Sequence, residues 1–160
     1  MRALRYQTFA DPVDLHVEDV PAPVPAAGEV LVRIHAASVN PVDWKIATGG
    51  FRLLVRGGLP RTMGSDFAGE VISSSAGSTR LAPGDRVFGF VDPFTRTGGT
   101  FAEFAAIPSE FAHRLPDAVP FRDAAALACV GATAVTLCNL GRVTTGSRVL
   151  VNGAAGGVGH

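Results

Sequence analysis

Residues 28–45 read GEVLVRIHAASVNPVDWK, and the alternation in the first two-thirds of this stretch decides the fold class. Val30, Val32, Ile34 and Ala36 take every second position, and most of the residues between them are polar. Because successive side chains of a strand point to opposite faces, this pattern predicts a long, half-buried β-strand over 29–39.

Shorter strand-like segments lie on both sides of this stretch. They are RALRY at 2–6, LHVEDV at 15–20, FAGEVISS at 67–74, DRVFGFV at 85–91 and TFAEFAAIP at 100–108. Residues 82–85 and 97–100 are turn sequences rich in Gly and Pro or Thr. Many short strands separated by such turns favour a barrel or a sandwich, so we expect a mainly β fold.

The character of the chain changes at Pro120. Residues 121–140 are apolar on nearly all sides, which predicts buried helices, divided at Gly131 and capped by Gly141. After a polar turn, the sequence VLVNGAAGGVG at 149–159 predicts a buried strand followed by a glycine turn. Such turns hold a phosphate when a helix follows, although the spacing departs from the usual dinucleotide fingerprint and a purely structural glycine turn is the alternative.

Composition and charge exclude several kinds of protein and of partner. Apolar residues make up 47% and charged residues 18%, as in a packed globular chain. Fourteen basic residues balance fourteen acidic ones, so charge predicts neither a nucleic-acid nor an anionic-membrane partner. The N-terminus has no signal-peptide pattern and no segment is expected to span a membrane, which predicts a cytoplasmic location. Cys129 and Cys138 are expected to be buried free thiols.

Six segments together resemble one family. They are GEVLVRIHAASVNPVDWK (28–45), GSDFAGEV (64–71), APGDRVFGF (82–90), GTFAEFAAIP (99–108), GATA (131–134) and VLVNGAAGGVG (149–159). In this order they resemble zinc-independent medium-chain dehydrogenase/reductases of the quinone or enone oxidoreductase type. The resemblance implies a GroES-like barrel in residues 1–120. It implies that residues 121–160 are linking helices followed by the first strand and Gly-rich turn of a truncated α/β Rossmann domain.

The resemblance also implies NADPH, rather than NADH, in the cleft between the two domains, and a small quinone or enone as substrate. Zinc-dependent relatives take metal ligands from segments that here read Asn40-Pro-Val-Asp43 and Ser65-Asp66. The four histidines have no ligand spacing. We therefore expect no metal, and Asp43 and Asp66 are expected to be structural.

The resemblance assigns site residues by position. Asn40 and Lys45 would be catalytic and would contact the cofactor, although Asn40 could be only a turn residue and Lys45, the one lysine among thirteen arginines, only a solvated side chain. Thr133 would lie near the nicotinamide, unless it only packs its helix, and Trp44 and Phe51 would line the substrate cleft or the core. The remaining cofactor contacts would be Gly153, Ala154, Ala155, Gly156, Gly157 and Val158.

Two other functions remain open at this stage. An enoyl-thioester reductase shares the barrel and the glycine turn, and an isolated GroES-like module would bind without catalysis. An apolar strand and helix faces without a complete second domain also predict self-association, as a homo-oligomer or as an aggregating fragment.

Overall fold

The computed structural model describes residues 1–11, 13–77, 80–94 and 99–160. It contains eight strands, two α-helices and a short 3-10 helix at Ser109–Phe111 within these residues. The elements are β1 (Arg2–Tyr6), β2 (Leu15–Asp19), β3 (Glu29–Ala36), α1 (Pro41–Ala47), β4 (Arg61–Thr62), β5 (Asp66–Ser74), β6 (Arg86–Phe90), β7 (Phe104–Pro108), β8 (Ala112–Arg114) and α2 (Phe121–Leu140). The predicted mainly β character is confirmed.

The strands form two antiparallel sheets. The larger has the order β7-β3-β5-β6-β8, and the smaller has the order β2-β1-β4. The alternating stretch therefore occupies an inner strand, with Val30 and Val32 fully buried in the core beside Phe67 and Val87. Burial on one face explains why its alternation could be read from the sequence.

Residues 101–103 connect the two sheets. The Leu4 N–H donates to the Phe101 carbonyl at 2.8 Å, and the Ile34 N–H donates to the Glu103 carbonyl at 3.0 Å. These residues use their backbone groups for β1 and β3, so the predicted strand at 100–108 begins as β7 only at Phe104. Residues 97 and 98 of the predicted turn at 97–100 lie outside the described residues.

Helix α1 was not predicted, and it shortens the strand before it. The alternation continues to residue 39, but Asn40 is the N-cap residue of α1 and Pro41 occupies its first turn. Asn followed by Pro is a helix-start signal, because proline has no N–H to leave unsatisfied there. The buried face of α1 places Ala47 against Tyr6 and Met63, which fixes the helix on the smaller sheet.

Helix α2 corrects two expectations. It runs unbroken from Phe121 to Leu140, through Gly131, and ends at the predicted cap Gly141. A mid-helix glycine costs only about 1 kcal/mol, which the rest of a 20-residue helix tolerates. It is also not buried on several sides, because only Ala124, Ala125 and Ala128 are buried. Cys138, on the uncovered half, is exposed and Cys129 is half-buried.

By length and composition, α2 could cross a membrane, with a mean hydropathy of 1.5, so the expectation of no such segment is corrected. Its first turns pack instead on β5, β6 and β3. Ala124 and Ala125 share a buried cluster with Ala68 and Leu115. The first half of α2 is therefore a surface helix of the β-sheets, and the domain boundary at residue 120 stays a prediction.

Residues 149–152 correct a further expectation. They are described by the structure and carry no strand pairing, and Leu150 is 94% exposed. A strand exists through its hydrogen bonds to a neighbour, and no neighbouring strand lies beside these residues in the part of the chain that the structure describes. The glycine turn folds back toward α2, where a Cβ on Gly157 would lie 3.0 Å from Val130.

Candidate active site

A cluster of buried polar side chains lies between the start of α1 and the start of β5. Asn40 is 8% exposed, Asp43 is 4% exposed, and Ser65 and Asp66 are fully buried. Ser38, which ends the turn out of β3, is half-buried beside them. Buried polar groups are costly unless they are hydrogen-bonded, so the bonds within this cluster decide what it can do.

Two carboxylates hold Asn40 from different sides. Its side-chain Nδ2 donates to Asp66 Oδ2 at 2.8 Å, and its backbone N–H donates to Asp43 Oδ2 at 2.7 Å. Nδ2 also lies 3.4 Å from the hydroxyl of Ser38. A carboxylate can only accept, so the amide must turn its nitrogen toward Asp66 and its oxygen away.

The oxygen of the Asn40 amide has no well-formed bond. The capping arrangement brings the side chain against the Asp43 N–H, but no cap hydrogen bond of normal geometry forms there. The Asp43 N–H donates instead to the Asn40 backbone carbonyl, at 3.0 Å. An amide oxygen has two lone pairs, so Oδ1 can accept a hydrogen bond from a ligand even while it faces the Asp43 N–H.

Asp66 connects this cluster to α2. Its carboxylate accepts from the Ser38 hydroxyl, the Asn40 amide and the Cys129 backbone N–H, the last at 3.0 Å. The Thr100 hydroxyl donates to the Asp66 backbone carbonyl at 2.7 Å. Burial raises the pKa of Asp66, and these donors oppose the rise because they favour the ionised form.

Asp43 is the second buried carboxyl. It accepts from the Asn40 N–H and from the Ser65 hydroxyl, at 2.9 Å for the latter. Burial raises its pKa, and the two hydrogen bonds lower it again in part. The structural role that the sequence predicts for Asp43 and Asp66 is consistent with these bonds, yet both side chains act directly on Asn40.

Gly64 determines how Ser65 and Asp66 enter the cluster. Its φ is +95°, and a Cβ there would lie 2.3 Å from the ring of Phe101 and 2.7 Å from the Thr100 hydroxyl. Its carbonyl accepts from the N–H groups of Gly99 and Thr100. Only glycine meets both requirements, since L-residues avoid this φ and a methyl group would not fit.

Lys45 lies outside the buried cluster, on the exposed side of α1. Its Nζ is 5.7 Å from the ring centroid of Trp44, which is itself 50% exposed. The Lys45 backbone carbonyl accepts from the Gly50 N–H at 2.9 Å and from the Thr48 hydroxyl at 3.1 Å. The ammonium has no hydrogen bond or salt bridge to the described residues, so it is available to a ligand.

The other predicted cofactor contacts lie along α2 and after it. The Thr133 side chain is exposed, and its hydroxyl donates to the Cys129 carbonyl at 2.8 Å. Gly153, Ala154, Ala155, Gly156, Gly157 and Val158 are all exposed. The N–H groups of Gly156 and Gly159 donate to carbonyls within the turn, so they are not directed at a phosphate here. The structure thus joins Asn40 to α2 but does not bring Lys45 or the glycine turn into the same cluster.

Phe51, the phenylalanine that the sequence offers for the cleft, packs against a second aromatic ring. Phe51 is half-buried and meets Phe94 edge-on, with ring centroids 5.6 Å apart. It follows α1 in the chain, as does the exposed pair Leu53 and Leu54. Trp44, Phe51 and these leucines therefore form an apolar stretch in and directly after α1.

A protein-family model matches the part of the chain that contains this cluster. The alcohol dehydrogenase GroES-like domain matches residues 26–117, which contain the whole buried cluster up to β8. The chain belongs to this family. The GroES-like fold that the resemblance implied is therefore confirmed.

Relatives of this GroES-like chain are longer than it is. The quinone oxidoreductase of Rattus norvegicus is 39% identical over 161 residues, which cover 99% of this chain and 47% of the relative. A zinc-type alcohol dehydrogenase-like protein of Schizosaccharomyces pombe is 40% identical over 164 residues, covering 99% and 48%. The chain thus spans about half the length of the curated relatives it matches.

Solved structures agree with the sequence relatives. The quinone oxidoreductase from Coxiella burnetii superposes with a TM-score of 0.88 at 32% identity, covering 100% of this chain and 51% of that one. The quinone oxidoreductase from Thermus thermophilus, solved also in complex with NADPH, gives a TM-score of 0.80 at 27% identity, covering 99% and 47%. The resemblance to quinone oxidoreductases of the medium-chain family is confirmed.

Sequence reasoning missed Ser38 and Ser65 and gave Asp66 no role in the site. Asn40 and Asp43 carried a local signal, because an N-cap Asn with an acidic residue three positions later favours a capping arrangement. Asp66 carried no such signal. Its partners come from the turn after β3 and from α2, which are 28 and 63 residues away along the chain.

Proposed function

We propose that the chain is the substrate-side half of a zinc-free, NADPH-dependent oxidoreductase that reduces quinones or α,β-unsaturated carbonyls. The observation that carries this proposal is Asn40, a nearly buried amide held by two carboxylates with its oxygen left as an acceptor. A capping role at the start of α1 explains the bond to Asp43 but not the bond from Nδ2 to Asp66. The names of the quinone oxidoreductase relatives support the substrate class.

The residues present fit the nicotinamide end of NADPH. Asn40 Oδ1 can accept a hydrogen bond from a ribose hydroxyl, and the exposed Thr133 hydroxyl lies on the helix bonded to the same cluster. The glycine turn at 153–158 fits the phosphate end less well in this arrangement, since its N–H groups bond within the turn. When bound, the cofactor would supply the hydride that is transferred to the electrophilic carbon of the substrate.

The chain's own residues would bind and orient the reactants. Asn40 would fix the ribose by accepting from it, and the apolar side chains of Trp44, in α1, and Phe51, after it, would exclude water from the bound reactants. The Lys45 ammonium can donate a hydrogen bond to the substrate oxygen as negative charge develops there, and can then release a proton to it. This division of roles needs no metal ion.

The donor set supports the metal-free part of the proposal. No group of three His, Cys, Asp or Glu side chains suited to a metal ion occurs among the described residues. The carboxylate oxygens of Asp43 and Asp66 already accept bonds from Asn, Ser and backbone donors. Elemental analysis of the purified protein tests this, and stoichiometric zinc removable only by a chelator would contradict it.

The direct experiment uses the protein encoded by the whole reading frame that contains residues 1–160. We expect that frame to encode a nucleotide-binding sequence, and the protein to consume NADPH in the presence of a quinone or an enone. Acyl thioesters serve as the competing substrate class. Turnover with thioesters alone would show an enoyl-thioester reductase, and ligand binding without turnover of any of them would show a binding module.

Lys45→Arg tests the proton donor in that protein. Arginine keeps the charge but does not release its proton, so we expect turnover to fall about 100-fold. Arg122→Lys, the reverse exchange at an exposed position of α2, serves as the control for surface effects. Unchanged kinetics of Lys45→Arg with every quinone and enone would remove Lys45 from the mechanism.

Asn40→Ala tests the ribose contact. It removes the acceptor, so we expect NADPH to bind about tenfold more weakly, the value of one well-placed hydrogen bond. Titration of the variant with NADPH by calorimetry gives the dissociation constant. A loss of stability with unchanged NADPH binding would show that Asn40 is only a turn residue.

A further inference from the structure

We infer that Asp66 is a positioning residue that sets the orientation of the Asn40 amide and joins it to helix α2. The inference rests on the proposed function, because that function supplies the ligand, NADPH, that the oriented Asn40 amide would bind. It assigns to Asp66 a part in cofactor binding without direct contact with the cofactor.

The first step concerns the two ends of Asn40. Asp43 holds the backbone N–H, which already satisfies the start of α1. The additional bond from Nδ2 to Asp66 is therefore not required for capping. Its effect is to decide which end of the amide faces the buried cluster, because the nitrogen donates and the oxygen only accepts. With the nitrogen turned inward, Asn40 offers a hydroxyl-bearing ligand an acceptor.

The second step concerns the distance that Asp66 spans in the sequence. One carboxylate oxygen accepts from the Asn40 amide and the other accepts from the Cys129 N–H. Thr133 lies one turn further along α2 and its hydroxyl donates to the Cys129 carbonyl. Asp66 thus fixes the spacing between Asn40 and the helix that carries Thr133, the two segments proposed to meet the nicotinamide ribose.

The third step concerns the contacts that hold Asp66 in place. Its side chain is fully buried, its backbone carbonyl is bonded to Thr100, and the strained Gly64 turn sets its approach. A side chain held at both its backbone and its carboxylate has little freedom to reorient. Such support is what keeps a binding group within a fraction of an ångström of its working position.

A measurement on the unaltered 160-residue chain tests the orientation without any variant. In a nuclear magnetic resonance spectrum, both Hδ2 protons of an asparagine give separate resonances because rotation about the amide C–N bond is slow, so the diagnostic quantity is the exchange of each proton with water. The proton bonded to Asp66 should exchange slowly with water and show a nuclear Overhauser effect to the Cys129 N–H region. Rapid exchange of both protons with water, with no such nuclear Overhauser effect, would overturn the inference, whatever the protein does with NADPH.

A set of variants in the protein from the whole reading frame tests the consequence. In Asp66→Asn the fixed Cys129 N–H should hold the new amide oxygen, so that the new NH2 group faces the NH2 group of Asn40. Asn40 should then turn over, and NADPH should bind about tenfold more weakly. The exchanged pair Asn40→Asp with Asp66→Asn restores donor and acceptor and again leaves an oxygen outward. We expect it to recover binding to within about threefold of the original, which is under 1 kcal/mol.

The control is Asp85→Asn, the same chemical change at the far end of the β5–β6 pair, where Asp85 contacts Arg114. It should leave NADPH binding unchanged. Asp66→Asn binding NADPH as well as the original protein, or an exchanged pair no better than the single variant, would overturn the inference. An original protein that binds no NADPH would overturn the proposed function and this inference with it, while the resonance measurement would still report the amide orientation.

Discussion

Two buried carboxyl groups within reach of one asparagine are the unusual feature at the scale of single residues. Taking a carboxylate out of water is expensive, and burial raises the pKa of both Asp43 and Asp66. Each is kept in place by donors that would otherwise lack a partner. Burying the two carboxyl groups therefore costs folding free energy while it fixes the Asn40 amide. This cost should appear in the pH dependence of folding stability.

The first prediction concerns Asp43. Because its folded pKa lies above its usual value, the folded chain holds a proton here at pH values where the unfolded chain has lost it. The stability from this group is complete below the unfolded pKa of about 3.9 and is lost as pH rises through the folded pKa. The free energies of unfolding of the original chain and of Asp43→Asn are measured with urea at several pH values. As pH rises, the original chain should lose stability relative to Asp43→Asn.

Asp19→Asn, at an exposed position of β2, is the matched control. Its stability difference from the original chain should change little over the same pH range. A difference between the original chain and Asp43→Asn that stays constant, or moves in the favour of the original chain as pH rises, would contradict the prediction.

Gly64 gives a second prediction at this scale. Gly64→Ala should destabilise the chain by roughly 2–5 kcal/mol, because an L-residue pays for the positive φ and its methyl group meets Phe101 and Thr100. Gly84→Ala is the control, since Gly84 has a φ of +91° but nothing within 4 Å. It should cost about 1–2 kcal/mol. If urea unfolding shows equal losses of stability for Gly64→Ala and Gly84→Ala, the positive φ alone makes Gly64 necessary, and the close contacts with Phe101 and Thr100 do not contribute.

At the scale of elements, the sequence predicted what local pattern determines. β3 was found because it buries one face, whereas β4 and β8, with two and three residues, are too short to show a period. The strand expected at 149–152 fails because pairing is not a local property. Asn40 entered the site by resemblance, and the role of Asp66 depends on partners brought together only by folding.

Side-chain contacts from the larger sheet hold the start of α2 in place. The Arg86 side chain donates to the Pro116 and Val119 carbonyls, at 2.9 and 2.7 Å, and its guanidinium lies 4.5 Å from the ring centroid of Phe121. His35 stacks on the same ring. These contacts fix the turn that leads into α2, and with it the N–H that Asp66 uses.

Arg86→Ala should therefore loosen α2 and lower stability by roughly 1–3 kcal/mol. Hydrogen exchange of amides in the first turns of α2 should speed up more than exchange in β3. Arg114→Ala, which removes a more exposed arginine bonded to Asp85, should leave the exchange of α2 unchanged. Equal effects of the two substitutions on α2 would show that Arg86 has no special part in holding it.

At the scale of the whole molecule, one side of the chain is apolar and uncovered. The second half of α2 and the segment after it expose Leu137, Leu140 and Leu150, at 56%, 77% and 94%. Contiguous apolar surface of this kind favours association. The chain is balanced in charge, so no net repulsion keeps copies apart.

The 160-residue chain should therefore self-associate, and sedimentation velocity should show species larger than one chain. The double variant Leu140→Glu with Leu150→Glu should shift the distribution to monomers. Val24→Glu changes an equally exposed but isolated residue in the Pro-rich connector, at 88% exposure, and should leave the distribution as it was. A monomeric original chain, or one dispersed equally by Val24→Glu, would contradict this account.

The single lysine has a consequence for how the molecule can be cut. A lysine-specific protease finds one target in the chain, the peptide bond between Lys45 and Ile46. Ile46 is buried, and the carbonyl that the enzyme must attack is already bonded to Gly50 and Thr48. Cleavage must therefore wait for α1 to open, and the rate at which one band becomes two on a gel measures how often it does so.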